Sequence, residues 1–428
     1  MALNIALVGC GGMGLRHLHG FIEHSKKFDT LNLVAVCDVN DQAARHVADV
    51  AEEHLGRRPA IHTDFDAMLA SESLDAIDIV TDTRMHHVFA EAAFAAGVHV
   101  MTEKPIGITM KAARRMRDAA AASGMTLSVA ENYRRDPLCR LAKALLDNGV
   151  IGEPRMVMEI SLGGGDTLMH NTAWRALKSR GGGMLIDAGV HTSDLLLYYL
   201  GDVERVYAET GLFETIRYRR AMSPNLAAFY SHRSDDVQAE SDAVEVDAVD
   251  TGFGVVRFES GAICNLTISE AVQAHSLRIG TIHGSKGTMT MPGPRSGTRG
   301  AEITLNAHEG NGHEGVLSGD DLLTLVPPDF KLDEITGKFF GGTAPIASYD
   351  MPFEQADRTL LAIEYEEFAQ AVESGNPPEV DATAGMKALA LSYAMLESGE
   401  VGVPVSLDDV MEGRVAEYQR SIDADNGV

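Results

Sequence analysis

Two groups of residues have the types and spacing to do chemistry together. The first is Gly9-Cys10-Gly11-Gly12-Met13-Gly14, a GxGxxG. In such a run the first glycine permits a tight turn, the second lets the backbone approach a pyrophosphate, and the third lets a helix pack close to a sheet. The helix that follows offers free N–H groups and a positive dipole end to the phosphates. Here the run comes after an apolar strand-like stretch, Asn4–Val8, and opens a helical one, and Asp38 stands at the end of the next strand. A carboxylate there accepts hydrogen bonds from ribose hydroxyls and repels a 2′-phosphate, so NAD is expected over NADP. Val39 and Asn40 add no cation to offset that repulsion. The competing reading is that Asp38 only caps the helix beginning near Asn40.

The second group is Asp187, His191, Asp194 and Tyr198, spaced i, i+4, i+7, i+11. On a helix they form one polar stripe beside Leu185, Ile186, Val190, Leu196, Leu197 and Leu200. Polar groups on an apolar helix need partners or a cavity, and a cleft facing a cofactor would supply one. Oxidation of an alcohol needs a base for the hydroxyl proton while hydride leaves. His191 is the natural base, with an unperturbed pKa of about 6.5. Asp187, one turn earlier, would orient a substrate hydroxyl or stabilise the protonated imidazole. Lys104, next to Pro105 at a strand end, would hold the reacting oxygen and its developing negative charge. Against these stand a core histidine, a surface lysine and half of a metal site. No convincing further ligands accompany Asp187 and His191, so no metal is expected. His17, His19, His86 and His87 read as structural or cofactor-adjacent rather than catalytic.

The elements that must position these groups are legible as patterns. Strand-like runs at Asn4–Val8, Leu31–Asp38, Ala76–Thr81, Val98–Thr102 and Thr126–Val129 alternate with helical stretches at 12–23, 41–55, 87–96 and 109–123. That alternation predicts an α/β fold, a parallel sheet covered on both faces, whose ligands sit beyond the carboxyl ends of the strands. The positions to inspect are therefore 9–14, 38, 81–86, 103–105 and 131–134. Beyond about residue 130 strands follow one another, at 156–162, 203–209, 252–258, 262–270 and 277–283, with helices at 138–148, 185–200, 360–374 and 384–397. This half reads as α+β with a large, mostly antiparallel sheet. The expected organisation is a nucleotide-binding Rossmann domain over 1–130 and a substrate and oligomerisation domain over 131–428. Residues 210–250 and 292–356 read as surface excursions, and the cluster Arg217, Arg219, Arg220 as a solvated loop.

Several ordered motifs resemble the glucose-fructose oxidoreductase / inositol dehydrogenase / MocA family. They are His86-x3-Ala90, Gly97-Val-His-Val-Met-Thr-Glu103-Lys104-Pro105, Glu131-Asn132-Tyr133-Arg134, Trp174-Arg175, Gly181 through Asp194, and the closing stretch from Gly375–Pro378 to Pro404-Val405. The resemblance implies Lys104, Asp187 and His191 as catalytic residues. It implies a cofactor site of Gly9, Gly11, Gly12, Met13, Asp38, Thr81, His86, Glu103, Lys104 and Asn132, with Tyr133, His170, Trp174 and Arg175 as substrate contacts. The implied activity is NAD-dependent hydride transfer from a hydroxyl of a sugar, cyclitol or glycoside. Two alternatives are a glycoside hydrolase using transient oxidation by NAD and a dinucleotide-binding regulator without catalysis. The family's large sheet implies a homodimer or homotetramer. One departure is Asp82, where the family usually has Pro.

Composition narrows the partners. The chain has 428 residues, 45% of them apolar, and a net charge of −26. That field repels polyphosphates and anionic lipid, so neither a nucleic acid nor a membrane is expected as partner. Four cysteines without CxxC spacing suit a reduced, cytoplasmic protein. The N-terminal residues run straight into the glycine motif without the pattern of a signal peptide.

Overall fold

A computed structural model describes residues 2–169, 172–220, 243–293, 295, 303–307 and 315–428. The N-terminal half is built on six parallel strands: β1 (Leu3–Val8), β2 (Leu31–Cys37), β3 (Ala60–His62), β4 (Ala76–Ile79), β5 (His99–Glu103) and β6 (Leu127–Ala130). Their order is β3-β2-β1-β4-β5-β6, the doubly wound arrangement in which the strand order reverses beside β1. Helices α1 (Gly12–Ser25), α2 (Asp41–Leu55), α3 (Phe65–Ser71), α4 (His86–Ala95) and α5 (Met110–Ser123) link and cover them.

Local chemistry sets several of these boundaries. Asn40 caps α2 by accepting from the N–H groups of Gln42 and Ala43, and Thr109 caps α5 through Ala112. Each such cap contributes about 1 kcal/mol. Gly56 and Gly124 end the same helices at φ 70° and 71°, a left-handed conformation a side chain would strain. The sheet has one strand more than the five expected: β3, only three residues long, and the seven-residue α3 carry too little pattern to be read from sequence.

The C-terminal half contains α6 (Pro137–Asp147), β7 (Pro154–Leu162), α7 (Met184–Asp187), α8 (Gly189–Leu200), β8 (Val203–Gly211), β9 (Ile216–Tyr218), β10 (Ala243–Glu245), β11 (Thr251–Phe258), β12 (Ile263–Ser269), β13 (Leu277–Gly284), β14 (Gly287–Thr290), β15 (Thr304–Ala307), β16 (Gly315–Ser318), α9 (Glu334–Phe340), α10 (Phe353–Ser374), α11 (Ala382–Val401), β17 (Val405–Ser406), α12 (Leu407–Met411) and α13 (Gln419–Asn426). Nine strands form one sheet, ordered β16-β15-β14-β13-β7-β12-β11-β8-β17. Every neighbouring pair is antiparallel except β7 and β12.

Alternation along these strands separates two faces. Val157, Val206, Val256, Phe258, Cys264, Leu266 and Ile268 are buried on the inner face, in one core with Leu185, Leu196, Tyr393 and Met395. Gly252 and Gly254 admit α11: a Cβ at either would lie 3.0 Å from the Met395 Cε. The other face carries exposed Met156, Tyr207, Phe253 and Val255.

The excursions differ from expectation. Residues 292–356 add β15 and β16 to the large sheet and contribute α9. Within 210–250, β9 and β10 form a two-stranded ribbon. Among the described residues no helix is long and apolar enough to cross a membrane.

Candidate active site

The glycine motif lies at the turn from β1 to α1. Gly9 has φ 100°, and a Cβ there would come 2.6 Å from the Val80 carbonyl oxygen. A Cβ at Gly14 would sit 2.0 Å from the Gly9 oxygen, whereas one at Gly11 would meet nothing within 4 Å. The first and third glycines are thus demanded by packing, and the second faces open space where a ligand's phosphates can approach. No side chain caps the first turn of α1. Asp38 accepts hydrogen bonds from the N–H groups of Cys10 (2.6 Å) and Asn40 (2.8 Å). Since Asn40 is the cap of α2, Asp38 is not. Asn132 Oδ1, just past β6, is buried without a hydrogen-bond partner among the described residues. The cradle, the uncapped helix start, the oriented carboxylate and the orphaned amide oxygen fit a dinucleotide.

Lys104 and Glu131 follow β5 and β6 at the same carboxyl edge of the sheet. Lys104 Nζ donates to the Asp187 backbone oxygen at 2.6 Å and to its Oδ1 at 3.2 Å. Arg175 Nη1 bonds the other carboxylate oxygen. Burial pushes the Asp187 carboxyl up, but the charges of Arg175 and Lys104 outweigh it and hold the group well below the usual carboxylate range. His191 Nδ1 faces Glu131 Oε2 at 2.6 Å and Oε1 at 2.8 Å. The imidazole stacks on the Tyr133 ring, with centroids 3.9 Å apart and planes 12° apart. Burial, aided by Lys104, drives His191 well below its ordinary value. Burial raises Glu131 to about 7.

The polar stripe divides. Asp187 ends α7, and His191, Asp194 and Tyr198 lie on α8. Asp194 accepts from Arg134 Nε at 2.8 Å, and the Tyr198 hydroxyl accepts from Arg140 at 3.1 Å. Only the first two members face Lys104 and Glu131. The other two meet cations elsewhere, Asp194 that of Arg134 in the segment joining β6 to α6 and Tyr198 that of Arg140 on α6.

Other expected contacts take different places. His86 is buried, with Nδ1 3.1 Å from the Pro105 oxygen and Nε2 3.3 Å from the Thr81 oxygen. Burial holds the imidazole below its ordinary value, so the neutral ring has one N–H to donate to one of these two carbonyls and sits between the loops after β4 and β5. Glu103 turns to His17 Nε2 at 3.3 Å, and His17 Nδ1 contacts Asp78 at 2.8 Å. Burial disfavours the imidazolium, but Asp78 and Glu103 overcome it and raise His17 to about 10. Glu103 is held at about 2: burial is outweighed by His17 and Lys104. Its carboxylate serves this buried network rather than the cleft. The Thr81 hydroxyl donates to the Asp82 oxygen at 3.3 Å. Asp82 holds Arg84 through two 2.9 Å bonds and Arg180 at 3.3 Å, tying the loop after β4 to the C-terminal half. Trp174 lies under the Arg175 guanidinium at 4.6 Å. His170 falls outside the described residues.

Three residues escaped the sequence reading. Glu131 stood among the strand-end positions but was given no role. Asp78 had a signal, a carboxylate inside an otherwise apolar strand. Arg295, which donates to the Tyr133 hydroxyl at 3.1 Å and to Asp357 at 2.5 Å, had none.

Two family models match the chain. One, described as an oxidoreductase family with an NAD-binding Rossmann fold, matches residues 3–131; the other, the GFO/IDH/MocA C-terminal domain, matches residues 139–290. A D-apiose dehydrogenase of Paraburkholderia graminis is 24% identical over 406 residues, 94% of this chain and 89% of that one. A myo-inositol 2-dehydrogenase of Thermotoga maritima is 24% identical over 411 residues, covering 96% and 100%. A levoglucosan dehydrogenase solved with NADH and levoglucosan superposes with a TM-score of 0.72 at 21% identity, over 95% of this chain and 100% of that one. This last likeness establishes the fold.

Proposed function

The chain belongs to the GFO/IDH/MocA family, and from that premise we propose that it is an NAD-dependent oxidoreductase that takes hydride from a carbinol carbon of a sugar or cyclitol. The observation that carries this reading is the meeting of Lys104, Asp187 and His191 at the carboxyl edge of a sheet whose glycine cradle fits a dinucleotide. Relatives named as apiose and inositol dehydrogenases support the substrate class.

Gly9, Gly11, Gly12 and Met13 would hold the pyrophosphate, Asp38 the adenosine ribose, and Thr81 and Asn132 the nicotinamide side. When bound, the nicotinamide accepts the hydride. Lys104 donates to the substrate oxygen and stabilises its developing charge. His191 Nε2, which has no hydrogen bond within the described residues, accepts the hydroxyl proton. Asp187, kept ionised by Arg175 and Lys104, fixes the ammonium and orients a neighbouring hydroxyl. Tyr133, Trp174 and Arg175 line the substrate side. Asp38 favours NAD over NADP. The exposed apolar face of the large sheet supports pairing with a second copy of the chain.

The test supplies a panel of aldoses, cyclitols and glycosides in excess over NAD, following NADH and released aglycone. Product capped by the NAD added, with matching NADH, is expected. Lys104→Ala should lower turnover by about 10²–10³-fold while keeping NAD affinity. Many products per NAD without NADH build-up would overturn the dehydrogenase reading.

A further inference from the structure

We propose that Glu131 is a positioning residue whose carboxyl decides which ring nitrogen of His191 carries the proton, so that the pair together presents either a proton acceptor or a proton donor to the cleft. The inference rests on the reading of His191 as the base and goes beyond it.

The geometry leaves the imidazole one partner. Nδ1 lies 2.6 Å from Glu131 Oε2 and 2.8 Å from Oε1, and Oε1 also accepts the Tyr133 N–H at 3.1 Å. Oε2 is therefore the oxygen free to carry a proton toward Nδ1. Tyr133, stacked at 3.9 Å, keeps the ring from turning away. A neutral imidazole has one N–H, so the atom facing Nδ1 dictates the tautomer. An ionised Glu131 accepts Nδ1–H and leaves a lone pair on Nε2. A protonated Glu131 donates to Nδ1 and forces the hydrogen onto Nε2.

The surroundings support a neutral ring in both states. His191 is faced by Lys104 and Arg295, which oppose a positive ring, and by Glu103 and Asp187, which favour one; burial outweighs all four. Glu131 is faced by Lys104 and Glu103 from the β5 edge, by Arg134 just after β6, and by Asp194 on α8. Glu364 on α10 lies near, and burial holds its carboxyl well above the usual carboxylate range. Glu131 itself is raised to about 7 by burial. The pair thus holds one proton more below that value than above it, and the macroscopic step belongs to the pair.

In oxidation the substrate O–H bond breaks and Nε2–H forms, while the Nδ1 proton moves to Glu131 Oε2. The electron pair of the O–H bond remains on oxygen and forms the carbonyl as hydride leaves carbon for the nicotinamide. The pair ends with one extra proton and must release it to solvent before the next turnover. Oxidation therefore requires the deprotonated pair and rises with pH; ketone reduction requires the protonated pair and falls.

The test uses the intact protein labelled with ¹⁵N-histidine, the His191 signals being those lost in His191→Asn. Without substrate, the protonated nitrogen should change from Nε2 to Nδ1 between about pH 6 and 8. Glu131→Gln should abolish that exchange. In kinetics, oxidation kcat/KM should rise about tenfold per pH unit below the transition in the parent and change by less than about twofold in Glu131→Gln. Glu131→Asp should retain the limb. A single tautomer throughout in the parent, or an unchanged limb in Glu131→Gln, would overturn the proposal. The nuclear resonance readout needs no turnover. An observed tautomer exchange without any dehydrogenase activity would instead count against the proposed function alone.

Discussion

Asp38 shows how much one residue's surroundings decide. Its two oxygens accept from Cys10 and Asn40 N–H groups, which turns the carboxylate toward the glycine cradle. Accepting a 2′-phosphate would need a neutral residue here and a cation nearby, and Asn40 is one adjacent position that could carry it. The structure shows why that site is a poor choice: Asn40 caps α2, and losing the cap costs about 1 kcal/mol. Val39 is 91% exposed and makes a better anchor for a cation. Asp38→Ser with Val39→Arg should move the ratio of NAD to NADP affinities by at least about tenfold toward NADP, measured by calorimetric titration. A ratio unchanged from the parent would remove Asp38 from the cofactor site. At this scale Lys104, Asp187 and His191 could be singled out as candidates because each stands in a recognisable motif. Glu131 was not, since its meaning depends on a histidine 60 residues away.

At the scale of elements, the ribbon of β9 and β10 shows where composition misleads. Arg217 sits in a basic cluster that reads as a solvated loop. It is 1% exposed, donating to the carbonyls of Gly165 (3.1 Å) and Thr167 (3.3 Å) and to Asp250 Oδ2 (3.3 Å), with Glu270 Oε2 at 3.8 Å. Arg220, three residues further along the same cluster, behaves as expected, pairing with Asp166 at 2.9 Å near the surface. Burying a guanidinium is tolerable because carbonyls and carboxylates replace its water. Arg217→Ala would strand Asp250 and Glu270 in the core. The expected loss is about 3–5 kcal/mol, read as a drop of several degrees in the thermal midpoint. An unchanged midpoint would mean that the ribbon is not anchored through this side chain. The strands of the first half were readable because hydrophobic period and glycine punctuation agree there. β15 and β16 were hidden in a Gly- and Pro-rich stretch whose strands are four residues each.

For the whole molecule, the outer face of the nine-stranded sheet is the main unfinished surface. Phe253 is 56% exposed and Val255 49% on β11, and Met156 is 51% exposed on β7, with β12 between those two strands. Open apolar sheet faces of this kind favour association. In the proposed homo-oligomer, Phe253→Lys with Val255→Lys should shift the sedimentation coefficient to that of a monomer while the Rossmann half still binds NAD. A protein already monomeric before substitution would refute the assembly. The two halves also interlock: α10 packs on α1, where a Gly20 Cβ would lie 2.5 Å from the Leu361 Cβ, and Tyr365, Phe368 and Ala369 complete the core around Leu18 and Phe21. Val129 N–H bonds the Val380 oxygen at 2.9 Å, covering the edge of β6. Residues from beyond position 130 therefore share in the N-terminal core.

The residues that sequence alone determined are those whose roles are local. The Gly9–Gly14 turn, the carboxylate at Asp38 and the strand-end lysine follow from backbone geometry within a few residues. Tertiary structure alone decided the partners: Glu131 for His191, Arg175 and Lys104 for Asp187, Asp78 for His17, and Arg16 with Arg295 on Asp357, the first of that last pair 341 positions distant. The physical reason is desolvation. A buried charge acquires its protonation state and its hydrogen-bond direction from whatever the folded chain brings within about 3 Å of it, and sequence spacing carries no record of that neighbour.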